Sequence, residues 1–429
     1  MKFTIQGGRK LEGEIAVNGS KNAATPIVAA TLLTDQPVVL ENVPKIGDVL
    51  KMIEILKSCG SQAEWLDERT IRIQNKEIDP SKIDQSLVKQ IRSSILLVGP
   101  MLARFKKFRF AIPGGCQIGA RSIDTHLEAF ECLGAKTEFD SDSGLYEVSL
   151  DKPLRQAQDR PNANQVILKE FSVTATENLL MLGTAYPLEI RMAACEPHVQ
   201  DLGNFLAKVF ELQLSGLGTH QIIIRPKSSS KVSPIRHKII SDPIEAGTFA
   251  VLAAVTRSKI LIKNVDCDYL DAPLGKLKEF GVVWQKEKGD LLVNGKLSVL
   301  QSVKIQTLPY PGLPTDLQAP FGVLATQASG RTLIFDTMYE GRLRYIQELK
   351  AMGADAEVLD SHRAVINGPT VLHSAEIESL DLRAGATLVI AALVASGKSV
   401  IGHIEQIDRG YEDFDGRLIK LGADIQRVN

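Results

Sequence analysis

A cysteine set among glycines, with an arginine close behind, is the stretch of this chain best suited to chemistry. Residues 113–126 read PGGCQIGARSIDTH, placing Cys116 in an excursion with Pro113, Gly114, Gly115 and Gly119, and Arg121 five residues on. Glycines at this density allow the backbone to fold back and move, as lids do. A thiol near a guanidinium has its thiolate favoured, and such a cysteine is reactive. Cys59, Cys132, Cys195 and Cys267 have no such setting and are expected to be small interior hydrophobes. Five cysteines with no CxxC pair and no secretory signal before them fit reduced thiols in a cytoplasmic compartment.

A second set of candidates opens a series of apolar, helix-like runs: Lys21-Asn22, Arg92, Thr176-Glu177, Glu245, Asp316 and Arg383. An acidic residue at a helix start can cap it, the role expected for Glu245. Lys21, Arg92 and Arg383 have the wrong sign. A cation against the positive end of a helix dipole is unfavourable unless an anion lies between them, so these residues point to an anionic ligand in a central cleft.

The runs themselves form a repeat. Each is followed by a short turn and a strand-like segment, and the starts at 21, 92, 176, 245, 316 and 383 are 71, 84, 69, 71 and 67 residues apart. The other half of each unit is an amphipathic helix stopped by glycine, at Gly60, Gly134, Gly281, Gly353 and Gly422. The third unit, around FELQLSGLG, is degenerate. Six α/β units in two sets of three predict two similar domains facing each other, as 429 residues also favour. KPLRQAQDRPNANQ, 152–165, reads as a surface insertion, and a hinge between domains is expected near the polar run 225–238.

Several function classes are excluded or disfavoured. Fifty basic against fifty-one acidic residues, net charge -1, exert no global pull toward nucleic acid or a membrane surface. No run of 18 apolar residues occurs. The seven histidines lack HExxH or Cys/His ligand spacing, so no metal is expected. Gly397-Lys398-Ser399 ends like a phosphate-binding loop, but Ala392 stands where that loop needs glycine, and the order of helix and strand is reversed.

With these residues in view, the chain resembles the UDP-N-acetylglucosamine enolpyruvyl transferase family from Met1 to Asn429. The resemblance rests on GSKNAATPI at 19–27, IRSS at 91–94, PGGCQIGARSIDTH, LPTDLQAPF at 313–321, DLRAGA at 381–386 and EQIDRGYED at 405–413. It implies a two-domain inside-out α/β barrel, each domain of three βαβαββ repeats with pseudo-threefold symmetry. One domain would span 21–240 and carry the mobile loop 113–124; 1–20 plus 241–429 would form the second, with the active site in the cleft between. The implied reaction moves the enolpyruvyl group of phosphoenolpyruvate to the sugar 3′-hydroxyl, without cofactor, in peptidoglycan synthesis.

Carried over residue by residue, Cys116 would protonate the methylene carbon and Asp316 act as base toward the hydroxyl. Lys21, Arg121 and Arg409 would neutralise phosphoenolpyruvate, with Asn22 beside them, and Arg92 and Arg383 would extend the cationic lining. Asn22, Arg92, Arg121, Ser122, Ile123, Asp124, Thr125, Ser172, Val173, Asp316 and Met338 would hold the nucleotide sugar. Asp381 would support the site, paired with a nearby cation. The chain departs from the family pattern at Leu96, Thr174 (usually glycine, with Lys169 the neighbouring basic residue), Pro243 and Gly341. Two other readings remain: the shikimate-pathway enolpyruvyl transferase, which lacks a cysteine loop of this kind, and a non-catalytic nucleotide-sugar-binding paralogue.

Overall fold

Helices that are apolar on every side belong inside a core, because no face of them prefers water. In the computed structural model, which describes residues 1–115, 119, 122–150, 164–227 and 235–428, the repeated runs form such helices. They are Lys21–Ala30, Val173–Leu182, Pro243–Val255, Gln318–Thr326 and Leu382–Val394, while Val98–Phe105 is buried only from Val98 to Leu102 and carries Arg104 in its last turn. Every residue from Ile244 to Val255 is buried. Full burial of one such Leu, Ile or Phe is worth about 1.5–3 kcal/mol, so packing rather than helix propensity holds these segments.

Four of the runs begin differently from the sequence expectation, Asp316 lying in a 3₁₀ turn, Thr315–Leu317, ahead of its helix. The stretch at Arg92 opens with a 3₁₀ turn, Arg92–Leu97, before the helix proper. Thr176 and Glu177 do not open theirs; Ser172 caps it, the helix starts at Val173, and both residues are buried inside it. Glu245 is not a cap. Asp242 takes that role, accepting from the Ile244 and Glu245 amides at 2.8 and 3.2 Å. The Glu245 carboxylate instead accepts from the Asn18 amide at 2.7 Å and from Arg417 at 2.6 Å.

The chain divides into two compact units. Residues 1–18 and 241–428 make one, and the described residues from 19 to 240, Gly119 excepted, make the other. Each has its own apolar core. Among the described residues the first holds three four-stranded sheets and the second two four-stranded sheets and one three-stranded. The strand after each buried helix in a four-stranded sheet pairs in parallel with an edge strand and antiparallel with the next. Lys259–Lys263, for example, is parallel to Glu12–Ala16 and antiparallel to Asp290–Asn294. Its Ile260 and Ile262 are wholly buried between outward residues, the period of two that a half-covered sheet requires. Lys2–Gln6 lies between Lys398–Gly402 and Asp424–Val428, which ties both ends of the chain into the first unit.

The five helix-stopping glycines have φ of +111, +88, +81, +93 and +101° in chain order, the left-handed conformation that makes glycine the preferred stop. In the degenerate third repeat the helix Pro197–Phe210 ends on Glu211 at φ +49°, so the glycine signature is missing there. The polar run near which a hinge is expected lies inside the second unit and ends two residues before the chain passes to the first. Its Ile235–Lys238 portion is a strand paired with Val38–Glu41, and the chain passes between units at 18–19 and 240–241. Residues 228–234 of that run, and 151–163 with most of the expected insertion, lie outside the described residues. No helix among the described residues is long and apolar enough to cross a membrane.

Candidate active site

In the first unit Asp316 sits in the 3₁₀ turn Thr315–Leu317 that leads into a buried helix. Two guanidinium groups donate to its carboxylate: Arg342 Nη2 to Oδ1, and Arg383 Nε to Oδ2 at 3.2 Å. Arg383 is 2% exposed and lies over the Tyr411 ring at 5.4 Å. Its terminal Nη1 and Nη2 find no hydrogen-bond acceptor among the described residues. Buried donors of that kind call for an acceptor, and none of the described residues hydrogen-bonds to them. Burial works against both guanidinium charges, but Asp316 outweighs it, and both arginines are held above their ordinary range.

The anion expected between Arg383 and its helix end is supplied in part by protein carboxylates. Asp381 caps the helix Leu382–Val394 through the Arg383 and Ala384 amides at 2.8 and 3.0 Å, and its Oδ1 lies 4.0 Å from Arg342 Nη1. It is thus both cap and counter-charge. Asp336, wholly buried, accepts from the Met338 and Tyr339 amides at 2.9 and 3.2 Å and from the Thr315 hydroxyl at 2.7 Å. The Met338 segment is thereby tied to the Asp316 turn. Arg409 follows the short helix Glu405–Asp408, its Nη1 donating to Gln406 Oε1 at 3.0 Å.

In the second unit Lys21 is the first residue of its helix and pairs with Asp48 at 3.3 Å, with Asn22 next to it. Arg92 Nη2 donates to the Ser122 carbonyl at 2.9 Å. Ser122 Oγ accepts from the Asp124 amide at 3.0 Å, and the Thr125 hydroxyl donates to Glu170 at 2.9 Å. The 122–125 segment is therefore anchored from two sides. Ile123 is buried in the core, which leaves only its backbone for a ligand. Ser172 is the cap of Val173–Leu182, and Lys169 is exposed and paired with Glu128 at 2.5 Å. Cys116 and Arg121 lie outside the described residues. At the entrance to their loop, a Cβ on Gly114 would sit 1.8 Å from the Lys89 carbonyl oxygen. Close backbone approach, rather than mobility, demands that glycine.

The remaining thiols divide. Cys59 and Cys195 are buried, and burial pushes each up to about 11. Cys267 is half-buried and also raised. Cys132, expected inside, is exposed, because it is the last residue of Asp124–Cys132 and falls off that helix's apolar face.

Sequence reasoning missed Arg342 and His126, and read Glu177 only as a charge at a helix start. Arg342 meets Asp316 from 26 residues away, and nothing local marks it. Burial, and after it Glu196, pushes the Glu177 carboxyl well above the usual range against the pull of Lys21. His126 is 3% exposed, and burial, helped by Arg92, lowers its pKa to about 3 from 6.5. An unfolded histidine binds a proton more readily than this one does. Its contribution to stability is therefore intact above about pH 6.5 and is lost as the pH falls toward 3, by up to about 1.4 kcal/mol per pH unit. Denaturant titrations across that window should show the slope flattened in His126→Gln; an unchanged slope would clear His126 of responsibility.

Comparison with known proteins places these residues in a family. The family model described as EPSP synthase (3-phosphoshikimate 1-carboxyvinyltransferase) matches residues 5–418. UDP-N-acetylglucosamine 1-carboxyvinyltransferase 1 of Carboxydothermus hydrogenoformans is 42% identical over 433 residues, covering 100% of this chain and 98% of its own. The Coxiella burnetii UDP-N-acetylglucosamine 1-carboxyvinyltransferase is 41% identical, covering 100% and 96%. Among solved structures, the enolpyruvyl transferase NikO from Streptomyces tendae has a TM-score of 0.87 at 22% identity, covering 99% of this chain and 98% of its own. EPSP synthase from Acinetobacter baumannii has 0.74 at 18%, covering 100% of both chains. The structural likenesses speak for a shared α/β fold, and the sequence matches go further. The chain belongs to the enolpyruvyl transferase family, among its UDP-N-acetylglucosamine 1-carboxyvinyltransferases.

Proposed function

We propose that this chain transfers the enolpyruvyl group of phosphoenolpyruvate to the 3′-hydroxyl of UDP-N-acetylglucosamine and releases phosphate. That is the first committed step of peptidoglycan precursor synthesis, carried out in the cytoplasm without metal or cofactor. The observation that carries the reading is identity of 39–42% along the whole chain to relatives bearing that name. The architecture that goes with it is an inside-out α/β barrel of βαβαββ repeats, three to a domain, a reading supported by the sets of sheets in each unit.

In this reading Cys116 gives a proton to the methylene carbon of phosphoenolpyruvate while the sugar oxygen bonds to its neighbouring carbon and Asp316 takes the hydroxyl proton. The tetrahedral ketal then loses a proton from its new methyl group, the double bond re-forms, and phosphate leaves. A phosphate and a carboxylate on one small substrate need several fixed cations in a dry site. Lys21, Arg121 and Arg409 take that task, with Asn22 beside them and Arg92 and Arg383 extending the lining. The buried, acceptor-seeking Nη groups of Arg383 support it. Ser122–Thr125, Ser172, Val173 and Met338 hold the nucleotide sugar, and Asp381 keeps the arginines in place.

A second reading has one observation in its favour: the family model's description names 3-phosphoshikimate as the acceptor. The solved EPSP synthases, however, are only 17–18% identical. A coupled phosphate assay with phosphoenolpyruvate decides. Release that depends on UDP-N-acetylglucosamine is expected; release only with shikimate 3-phosphate would transfer the assignment, and none with either would end it.

A further inference from the structure

Two residues after Arg409 the chain places a tyrosine, Tyr411, against the guanidinium of Arg383. Gly410 allows the approach: a Cβ there would sit 2.6 Å from Leu382 Cδ1, on the residue next to Arg383. The tyrosine is 1% exposed, and its hydrogen bonding follows from its partner. Thr248, wholly buried in the helix Pro243–Val255, donates its hydroxyl to the Ile244 carbonyl one turn back at 2.8 Å. A hydroxyl carries one proton, so Thr248 Oγ1 accepts from Tyr411 Oη, 3.0 Å away. The phenol has that proton to give, because burial raises its pKa against the pull of Arg383. The ring is thus tied at its tip to one helix and packed by Phe414 of another, centroids 4.8 Å apart.

On this fixed ring lies Arg383, its Cζ 5.4 Å from the centroid. Asp316 takes the Nε proton at 3.2 Å, and Asp381 takes the backbone amide at 2.8 Å. The donors on Nη1 and Nη2 are buried and meet no acceptor among the described residues. An aromatic face is the one kind of support that produces this state. Its quadrupole attracts the cation without accepting a conventional hydrogen bond. A carboxylate in its place would draw the Nη protons to itself, as forked pairs do. The ring therefore holds the charge and leaves its donors unspent.

We propose that Tyr411 is a positioning residue whose ring face holds Arg383 while keeping both Nη groups open to an anionic oxygen of phosphoenolpyruvate, with Thr248 as the anchor of the ring. The inference rests on the place given above to Arg383 in the cationic lining.

The test drains the face without changing its shape. Tyr411→Phe keeps the ring, and phenylalanines carrying one, two and three ring fluorines at position 411 weaken its quadrupole stepwise while adding little volume. Steady-state kinetics on the full chain should give a KM for phosphoenolpyruvate within about threefold of the parent in Tyr411→Phe. It should then climb with each fluorine to about tenfold above the phenylalanine variant, the size of a desolvated cation–π contact. The KM for UDP-N-acetylglucosamine should stay level throughout. Tyr411→Leu, which removes the face, should match the trifluorinated variant or exceed it. Thermal melts across the fluorine series should coincide, so that a change in KM is not a loss of fold. A flat series, or a Tyr411→Phe variant as weak as the trifluorinated one, would overturn the proposal. Neither outcome touches the functional reading, which is decided by whether the unsubstituted protein releases phosphate in response to UDP-N-acetylglucosamine.

Discussion

Replacing Asp316 by asparagine is expected to slow phosphate release by about 10²–10⁴-fold, the range that loss of a general base produces. The same change removes the counter-charge that Arg342 and Arg383 share. Both guanidinium groups are nearly excluded from water, so stripping their common partner should cost roughly 2–4 kcal/mol of stability. Asp381, 4.0 Å from Arg342, offsets part of that loss and should keep the variant folded. The two effects separate in Asp316→Glu. Glutamate retains the charge, so melting temperature should return toward that of the parent. Its carboxylate is displaced by about one methylene, and a misplacement of about 1 Å costs on the order of 10²-fold in rate. Thermal melts run beside steady-state kinetics read both quantities. A kcat for Asp316→Asn within threefold of the parent would remove the base role, and Asp316→Glu restored in both measures would reduce Asp316 to a holder of arginines.

The same cluster shows what a sequence can and cannot disclose. The buried helices were legible because apolar residues on all sides leave a helix nowhere to go but a core, and their repetition at a steady interval exposed the α/β plan. Lys21, Asp316 and Arg383 were legible for the opposite reason: charges at the edge of such runs need an explanation. The glycine stops could be read because each meets a local demand, a left-handed residue. Arg342 could not be found that way. Its partner is distant in sequence, and its own neighbourhood, Gly341-Arg342-Leu343-Arg344, looks like any exposed turn. Asn178 and His126 left a faint trace as polar residues in apolar company. Their meaning depends on Gly99 and Ile95, which only tertiary packing brings near. Capping was misjudged where a smaller side chain did the work: Asp242, rather than the more conspicuous Glu245.

The second large effect is expected at Cys116. Cys116→Ala should lose most activity, about 10²-fold or more if the thiol is the proton donor. Cys116→Asp should keep measurable turnover, because a carboxylic acid can deliver the same proton. Labelling tests the assignment independently of rate. The thiols of Cys59 and Cys195, pushed up to about 11, expose only about one thiolate in 1,000 at pH 8, and Cys267 is shifted in the same direction. Exposed Cys132 is then the main competitor among the described cysteines. A general alkylating reagent should modify both Cys132 and Cys116, whereas an epoxide analogue of phosphoenolpyruvate should modify Cys116 alone, since only a cysteine within reach of the bound carboxylate and phosphate gains from the analogue's shape. Peptide mapping by mass spectrometry reads the outcome, with Cys132→Ser as control. Full activity in Cys116→Ala would refute the acid role, and epoxide labelling that follows Cys132 would show that exposure, not substrate geometry, selects the thiol.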